Sequence, residues 1–437
     1  MKSVNSALEL KIPMRFDRDS QAKGWPLFEA QRHLMPGGNG TLTKVPRLFP
    51  DEPALMARGS GCRLWDVDGN EYIDFRCALG PVTLGYCYPE IDDAIRSQLS
   101  RGIVFGQPNE LEFQLAEELI EVVPCAESVR FLKTGGEAVA ATVKLARAFT
   151  GRNMLLGSGY HGWINGVENT SGILPGVVDN YRSFHYGDLS EVEALLEQHK
   201  GRVAAVLLAG AYAAMKPEDL FPRRLRELTK RHGVLLIIDE IVTGMRLRVG
   251  GYHEYYDFLP DLAVFSKGMA NGMPISAFMG RRDIMDLAAS SAVVSSTFSG
   301  EMLSISAALA LLDVYRKKNV IAHLWKAGER MGAGLEEIFR RHGLPVELKG
   351  LAPCRALAFR AGSAAENLRL QRSVFRSLFR KGVYMNIICY VNHSHQPADI
   401  DEALERIDSA CGTMQWEENG TPLAPLPAIG AVANMGT

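Results

Sequence analysis

The sequence predicts an α/β protein: a mostly parallel central sheet with helices on both faces, joined to a smaller α+β domain. Three observations carry that prediction. Wholly apolar runs rich in branched residues, such as Val203–Leu208 (VAAVLL) and Val234–Ile238 (VLLII), alternate with helical patterns through mid-chain. Strands apolar along their whole length are buried on both faces, as in a parallel sheet. Residues 61–75, GCRLWDVDGNEYIDF, instead alternate polar and apolar around an Asp-Gly turn, which marks a hairpin. At 437 residues the chain is long enough for two or three domains.

The elements follow in order. Val129–Leu132 reads as a short strand, then a glycine pair, then a helix to Thr150. Asn153–Leu156 is the next short apolar run. Leu220–His232 has the period of a basic amphipathic helix closed by Gly233, and Leu262–Phe265 (LAVF) is another buried strand. Beyond about residue 312 one long charged helix, VYRKKNVIAHLWKAGERMGAGLEEIFRRHG, precedes strand-like VELKG and CRALAF and further helices. The expected division is therefore 1–75 as an N-terminal segment and hairpin of the small domain, 76–312 as the large ligand-binding domain, and 313–415 as the C-terminal part of the small domain. Residues 416–437, rich in Pro, Gly and Ala without a period, are expected to form a flexible tail.

Composition excludes several functions. Lys+Arg is 48 and Asp+Glu 50, a net charge of −2, which argues against holding nucleic acid or an anionic membrane through a bulk field. The longest apolar run, Val203–Met215, falls short of the roughly 20 residues of a spanning helix. The N-terminus has no apolar core of a signal peptide. Seven cysteines, an odd number with no CxxC pair, suggest neither a disulfide framework nor zinc, and free thiols fit a cytoplasmic protein. His393 and His395 lie close in sequence without a helical H-x-x-x-H spacing, so no metal site is expected.

In a parallel α/β sheet, ligands gather where the strands end. After VLLII comes Asp239; after LAVF come Ser266 and Lys267; after VRFL come Lys133, Thr134, Gly135 and Gly136 at a helix start. Paired glycines let backbone N–H groups approach an anion at the positive end of a helix, which suits a phosphate. A desolvated lysine can form a Schiff base. A strand-end aspartate can pair with a cationic ring nitrogen, and Tyr160-His161, after the strand near residue 155, could supply an aromatic face. Together these are the requirements of pyridoxal 5′-phosphate.

The motifs in this order resemble the class III (omega-type) pyridoxal-phosphate aminotransferases, most closely their glutamate-1-semialdehyde aminomutase-like branch. The resemblance spans roughly residues 27–410 and rests on LWDVDGNEYIDF, ALGPVTLGYCYPEI, TGGEAVAATVKLARAFTGR, GYHG, LLIIDEIVTGMR, PDLAVFSKGMANGMPISAFMG and STFSGEMLSISAALALL. It implies fold type I. It implies that Lys267 is the Schiff-base lysine and Asp239 the partner of the pyridinium nitrogen. Thr134, Gly135 and Gly136 would hold the phosphate, with Tyr160 on one ring face and Ile241 on the other. Thr297 would reach the phosphate of a partner subunit, so a homodimer with two shared sites is implied.

The departures bear on substrate. Gly136 replaces a usual Thr, Ala78-Leu79 replaces Ser-Trp, and Lys44 stands near a branch arginine that binds substrate carboxylate. The usual V-E-P after the third strand reads Leu208-Ala209-Gly210, which argues against standard glutamate and ornithine recognition. Lys44, Leu79, Trp163 and His395 are the candidate substrate contacts. The expected activity is transfer of an amino group from a donor to a small carbonyl substrate, such as a sugar or natural-product intermediate. The alternative is an intramolecular aminomutase, and a third reading is a non-catalytic scaffold that retains the fold.

Overall fold

The computed structural model describes residues 23–164 and 172–414. The first 22 residues and the predicted tail lie outside the described residues, except that helix Pro397–Gly412 runs almost to its start. The strands, in chain order, are β1 (Met56–Ser60), β2 (Arg63–Asp66), β3 (Glu71–Asp74), β4 (Ser128–Leu132), β5 (Met154–Ser158), β6 (Tyr181–Ser183) and β7 (Val203–Ala209). They continue with β8 (Leu235–Asp239), β9 (Leu262–Phe265), β10 (Ser276–Gly280), β11 (Val346–Lys349), β12 (Cys354–Phe359), β13 (Val383–Tyr384) and β14 (Ile388–Tyr390).

Seven of them form the central sheet in the order β4-β10-β9-β8-β7-β5-β6. Neighbours from β9 to β6 run parallel, and β10 runs antiparallel between β9 and β4. Alternate residues of one strand enter different cores, as the period of two requires. Ala205, Leu207, Leu235 and Ile237 pack beneath helix Gly135–Thr150 through Ala138, Val139 and Leu145. Val206, Leu208, Leu236 and Ile238 pack on the opposite face with Phe221, Leu225 and Leu228 of helix Phe221–Arg231. Both faces are thus covered, which is why these strands read as unbroken apolar runs.

Two smaller sheets use the ends of the chain. One has the order β1-β2-β3-β13, with β13 parallel to β3, so C-terminal residues extend the N-terminal hairpin. The other is β11-β12-β14. Phe75 links them: its N–H donates to the Tyr384 carbonyl and its own carbonyl accepts from Tyr390, each at 2.8 Å.

Two features depart from the sequence expectation. β1, β6, β10, β13 and β14 lie outside the strands the sequence predicts; β10 (SAFMG) is short and bordered by Ser and Gly, and only pairing to both neighbours reveals it. The predicted long helix is two, Met302–Lys318 and Val320–Arg341, separated by Asn319 at φ +46°. Asparagine tolerates this left-handed conformation and so ends a helix without a glycine.

At the sheet edge opposite the strand ends discussed below, buried Asp261 accepts Arg226 in bidentate geometry (2.6 and 3.1 Å), Arg281 at 3.1 Å and the Leu236 N–H at 2.8 Å. Burial raises its pKa, but these donors outweigh that and hold it below the usual carboxylate value. A depressed carboxylate pKa adds stability that is complete above the ordinary range and is lost as pH falls through the folded value. Asp261→Ala is expected to cost about 3–5 kcal/mol by stranding a buried guanidinium. Chemical denaturation at pH 7 checks this, and the difference from the parent protein should shrink toward pH 3.

Candidate active site

Helix Gly135–Thr150 begins directly after β4. Thr134 caps it: its hydroxyl accepts the Glu137 N–H, while Glu137 accepts the Thr134 N–H at 2.8 Å and the Lys133 N–H at 3.2 Å. This box consumes the donors just before the helix. The N–H groups of Gly135 and Gly136 carry no hydrogen bond among the described residues and stand at the positive end of the helix. A Cβ at Gly135 would fall 2.4 Å from Ile241 Cδ1, and one at Gly162 only 2.9 Å from Gly136 Cα. Glycine is therefore required at Gly162, whose φ is +84°, while a side chain at Gly135 would displace Ile241. Lys133, by contrast, pairs with Glu301 at 3.1 Å and ties the cradle to the segment that follows Thr297.

Asp239 ends β8 and is buried. Its Oδ1 accepts the Ile241 N–H at 3.0 Å, and its Oδ2 lies 3.0 Å from His161 Nδ1. The other nitrogen of His161, Nε2, faces the Ser158 carbonyl at 3.1 Å, so it donates there. A proton between Nδ1 and Oδ2 then completes the pair. His161 is therefore not an aromatic face beside Tyr160, as its sequence position suggested. It lies fully buried behind Asp239, because left-handed Gly159 and Gly162 on either side turn it inward. Tyr160 keeps 47% of its surface exposed. His161→Leu would leave a buried carboxylate oxygen without its partner, at about 1–3 kcal/mol. The expected result is about tenfold weaker pyridoxal-phosphate retention, measured by fluorescence titration of cofactor-free protein.

The next residue, Glu240, holds the following loop. Its buried carboxylate accepts Thr243 Oγ1, the N–H groups of Tyr252 (2.7 Å) and His253 (2.9 Å), and His253 Nδ1 (2.8 Å). Burial opposes a charge on His253, yet contact with Cys125 and Glu240 raises its pKa to about 10. Asp239 and Ile241 thus sit at the root of a fixed loop.

Lys267 follows β9 at φ +36°, in the left-handed region where a side chain strains the backbone. Burial lowers its amine to about 8, against an opposing pull from Asp239; Arg246 lowers it further. Lys267, Asp239 and the Gly135–Gly136 cradle thus converge on one end of one sheet. Ile241 joins them by its contact over Gly135.

The other candidates divide. Leu79 lies in a left-handed run with Cys77 and Ala78 (φ 45°, 53° and 75°) and is partly exposed. Lys44 and Thr297 are exposed, and Trp163 is 80% exposed. His395 is fully buried, stacked on Phe75 at 4.5 Å, with Nδ1 accepting the Asn392 N–H. Burial lowers its pKa to about 4. Its expected substrate contact is corrected accordingly: His395 is a packed loop histidine, since its ring is covered on the Phe75 side and enclosed throughout. Sequence reasoning missed Glu240, Arg246 and the Lys133–Glu301 pair; DEIVTGMR contained the first two, but only their contacts disclose what they hold.

A glycine-lined helix start, a buried strand-end acid with its histidine and a desolvated lysine are what a pyridoxal-phosphate enzyme of fold type I requires. The chain belongs to the class III aminotransferase family, whose sequence profile (Aminotransferase class-III) matches residues 49–410. It is 33% identical over 400 residues to 3-aminobutyryl-CoA aminotransferase of Cloacimonas acidaminovorans, covering 88% of this chain and 96% of that protein. It is 32% identical over 412 residues to glutamate-1-semialdehyde 2,1-aminomutase of Persephonella marina, covering 87% and 96%. Among solved structures, the FumI protein of Sphingopyxis sp. MTA144 with pyridoxal phosphate superposes with a TM-score of 0.81 at 28% identity, covering 90% and 98%. The protein is a pyridoxal-phosphate-dependent aminotransferase. No described helix is long and apolar enough to cross a membrane.

Proposed function

We propose that Lys267 and Asp239 are the catalytic pair of this aminotransferase. The observation that carries the reading is a lysine with a burial-lowered pKa beside a buried aspartate, at the sheet edge that also holds the glycine cradle. When bound, pyridoxal phosphate supplies an electron sink for negative charge at the amine-bearing carbon. Lys267 Nζ, whose burial-lowered pKa of about 8 leaves an appreciable neutral fraction at physiological pH, would take the proton from that carbon in the donor half-reaction and deliver a proton to the acceptor carbon in the second. Asp239, fixed by His161 and the Ile241 N–H, holds positive charge on the ring nitrogen. The free N–H groups of Gly135 and Gly136, with Thr134, receive the phosphate. Ile241, packed over Gly135, would press on one face of the cofactor ring, and Tyr160 would cover the other.

Thr297 completes the phosphate site of a second copy, in a homodimer. Support comes from exposed Ile103, Val104, Phe105 and Phe298, an apolar group brought together where the Met302 N–H donates to the Ile103 carbonyl. Seven free cysteines, six of them buried, support a cytoplasmic setting.

For the substrate, Ala209 is the informative position. A Cβ at Gly159 would lie 2.8 Å from the Ala209 methyl, so β7 ends against the turn without a carboxylate. The acceptor is then a carbonyl compound outside the glutamate and ornithine scheme, a sugar or natural-product intermediate, with Lys44, Leu79 and Trp163 around it. The second reading is an aminomutase, favoured by the 32% identity to a glutamate-1-semialdehyde 2,1-aminomutase. A donor screen on the holoenzyme separates them. A transaminase bleaches the visible cofactor band with an amino donor alone and releases a keto product. Turnover of glutamate-1-semialdehyde without any donor, and no bleaching by the donors, would establish the mutase instead.

A further inference from the structure

Arg246 is among the largest fully buried side chains, yet it forms no ion pair among the described residues. Its guanidinium instead donates to three backbone carbonyls: Gly80 at 2.8 Å, Val391 at 2.9 Å and Pro353 at 3.2 Å. It lies over the Tyr390 ring at 4.8 Å, and its Nε has no partner. A buried cation without a counter-ion is costly. It is retained where it does something that apolar packing cannot.

The three carbonyls come from three separate stretches of chain. Gly80, at φ +104°, closes the left-handed run Cys77-Ala78-Leu79. Each non-glycine residue in that region costs on the order of 1–3 kcal/mol unless the surroundings enforce it. Val391 opens the loop that carries Asn392 and His395, and Pro353 leads into β12. Arg246 itself stands on the loop anchored by Glu240, a few residues beyond Asp239, and close enough to Lys267 to act on its charge.

We infer that Arg246 is a positioning residue: by gripping Gly80, Pro353 and Val391 it fixes the strained 77–80 turn and the 391–395 loop against the cofactor domain and so governs acceptor recognition. No other described side chain binds carbonyls of all three segments. The grip needs a planar, forked donor, which lysine lacks. The cation also sets the charge of the pocket, because Lys267 experiences it as a like charge.

The test uses Arg246→Lys, which keeps the charge without the fork, and Arg246→Met, which loses both. In cofactor-free protein, hydrogen exchange in peptides covering 76–86 and 389–396 is expected to quicken at least about tenfold in both variants, while helix Gly135–Thr150 stays unchanged. In holoenzyme, KM for the acceptor is expected to rise at least about tenfold in both, with the donor half-reaction changed less than about threefold in Arg246→Lys, which keeps the cation beside Lys267. The pH midpoint of the visible band should move up in Arg246→Met alone, since only that variant loses the cation. If Arg246→Met does not fold, Arg246→Lys decides the matter by exchange and KM. Parent-like exchange in both segments, or parent-like KM in Arg246→Lys, overturns the inference. The visible-band arm rests on the reading of Lys267; the exchange arm does not, so the two can fail separately.

Discussion

Lys267→Ala is expected to reduce turnover by at least about 10⁴-fold and to abolish the visible band of the holoenzyme. Two losses combine. On the proposed reading the protein would lose both the amine that attaches the cofactor and the base that moves the proton, a function worth about 10²–10⁴ by itself. The change should leave the fold intact, because the residue is only partly buried and sits beyond the end of β9. Pyridoxal phosphate should still bind without the covalent bond, through the cradle at Gly135–Gly136 and the carboxylate of Asp239. Exogenous methylamine is then expected to restore a measurable fraction of the rate. Absorbance spectra and single-turnover kinetics check both parts, and a fully active Lys267→Ala protein would sink the assignment.

Asp239→Asn is expected to lower kcat by about 10²–10⁴ with little change in stability. The substitution is nearly isosteric, and the new amide can donate to His161 Nδ1 while Nε2 still donates to Ser158. What disappears is the negative charge, in a water-poor pocket where charge acts strongly. The ring nitrogen then loses its reason to stay protonated, and the electron sink weakens. Single-turnover proton transfer with an amino donor should slow, while unfolding midpoints move little. A variant that keeps the parent rate would remove Asp239 from the chemistry.

The sheet was legible because buried parallel strands leave continuous apolar runs, and VAAVLL, VLLII and LAVF fall within one residue of β7, β8 and β9. The candidate site was legible for a related reason: fold topology places strand ends together, so Asp239, Lys267 and the Gly135–Gly136 pair could be assembled from their positions alone. What was not legible depends on long-range contact. His161 and Asp239 meet across 78 residues, and no local pattern says that the histidine turns inward while Tyr160 stays half exposed. β10 escaped because its strand character comes from the two neighbours that flank it. The break at Asn319 escaped because a single left-handed asparagine leaves the helical period on either side undisturbed. Arg246 reads in the sequence as one more surface cation; its burial and its three carbonyl partners exist only after both ends of the chain have closed on the central domain.

Borohydride reduction of protein reconstituted with pyridoxal phosphate, followed by peptide mass mapping, tests the central claim most directly. An amine lowered by burial to about 8 is about half neutral at pH 8, far more than an ordinary lysine, so one phosphopyridoxyl group per chain is predicted, on Lys267. Modification confined to another lysine, such as Lys133 or Lys44, with Lys267 unmodified, would contradict the account.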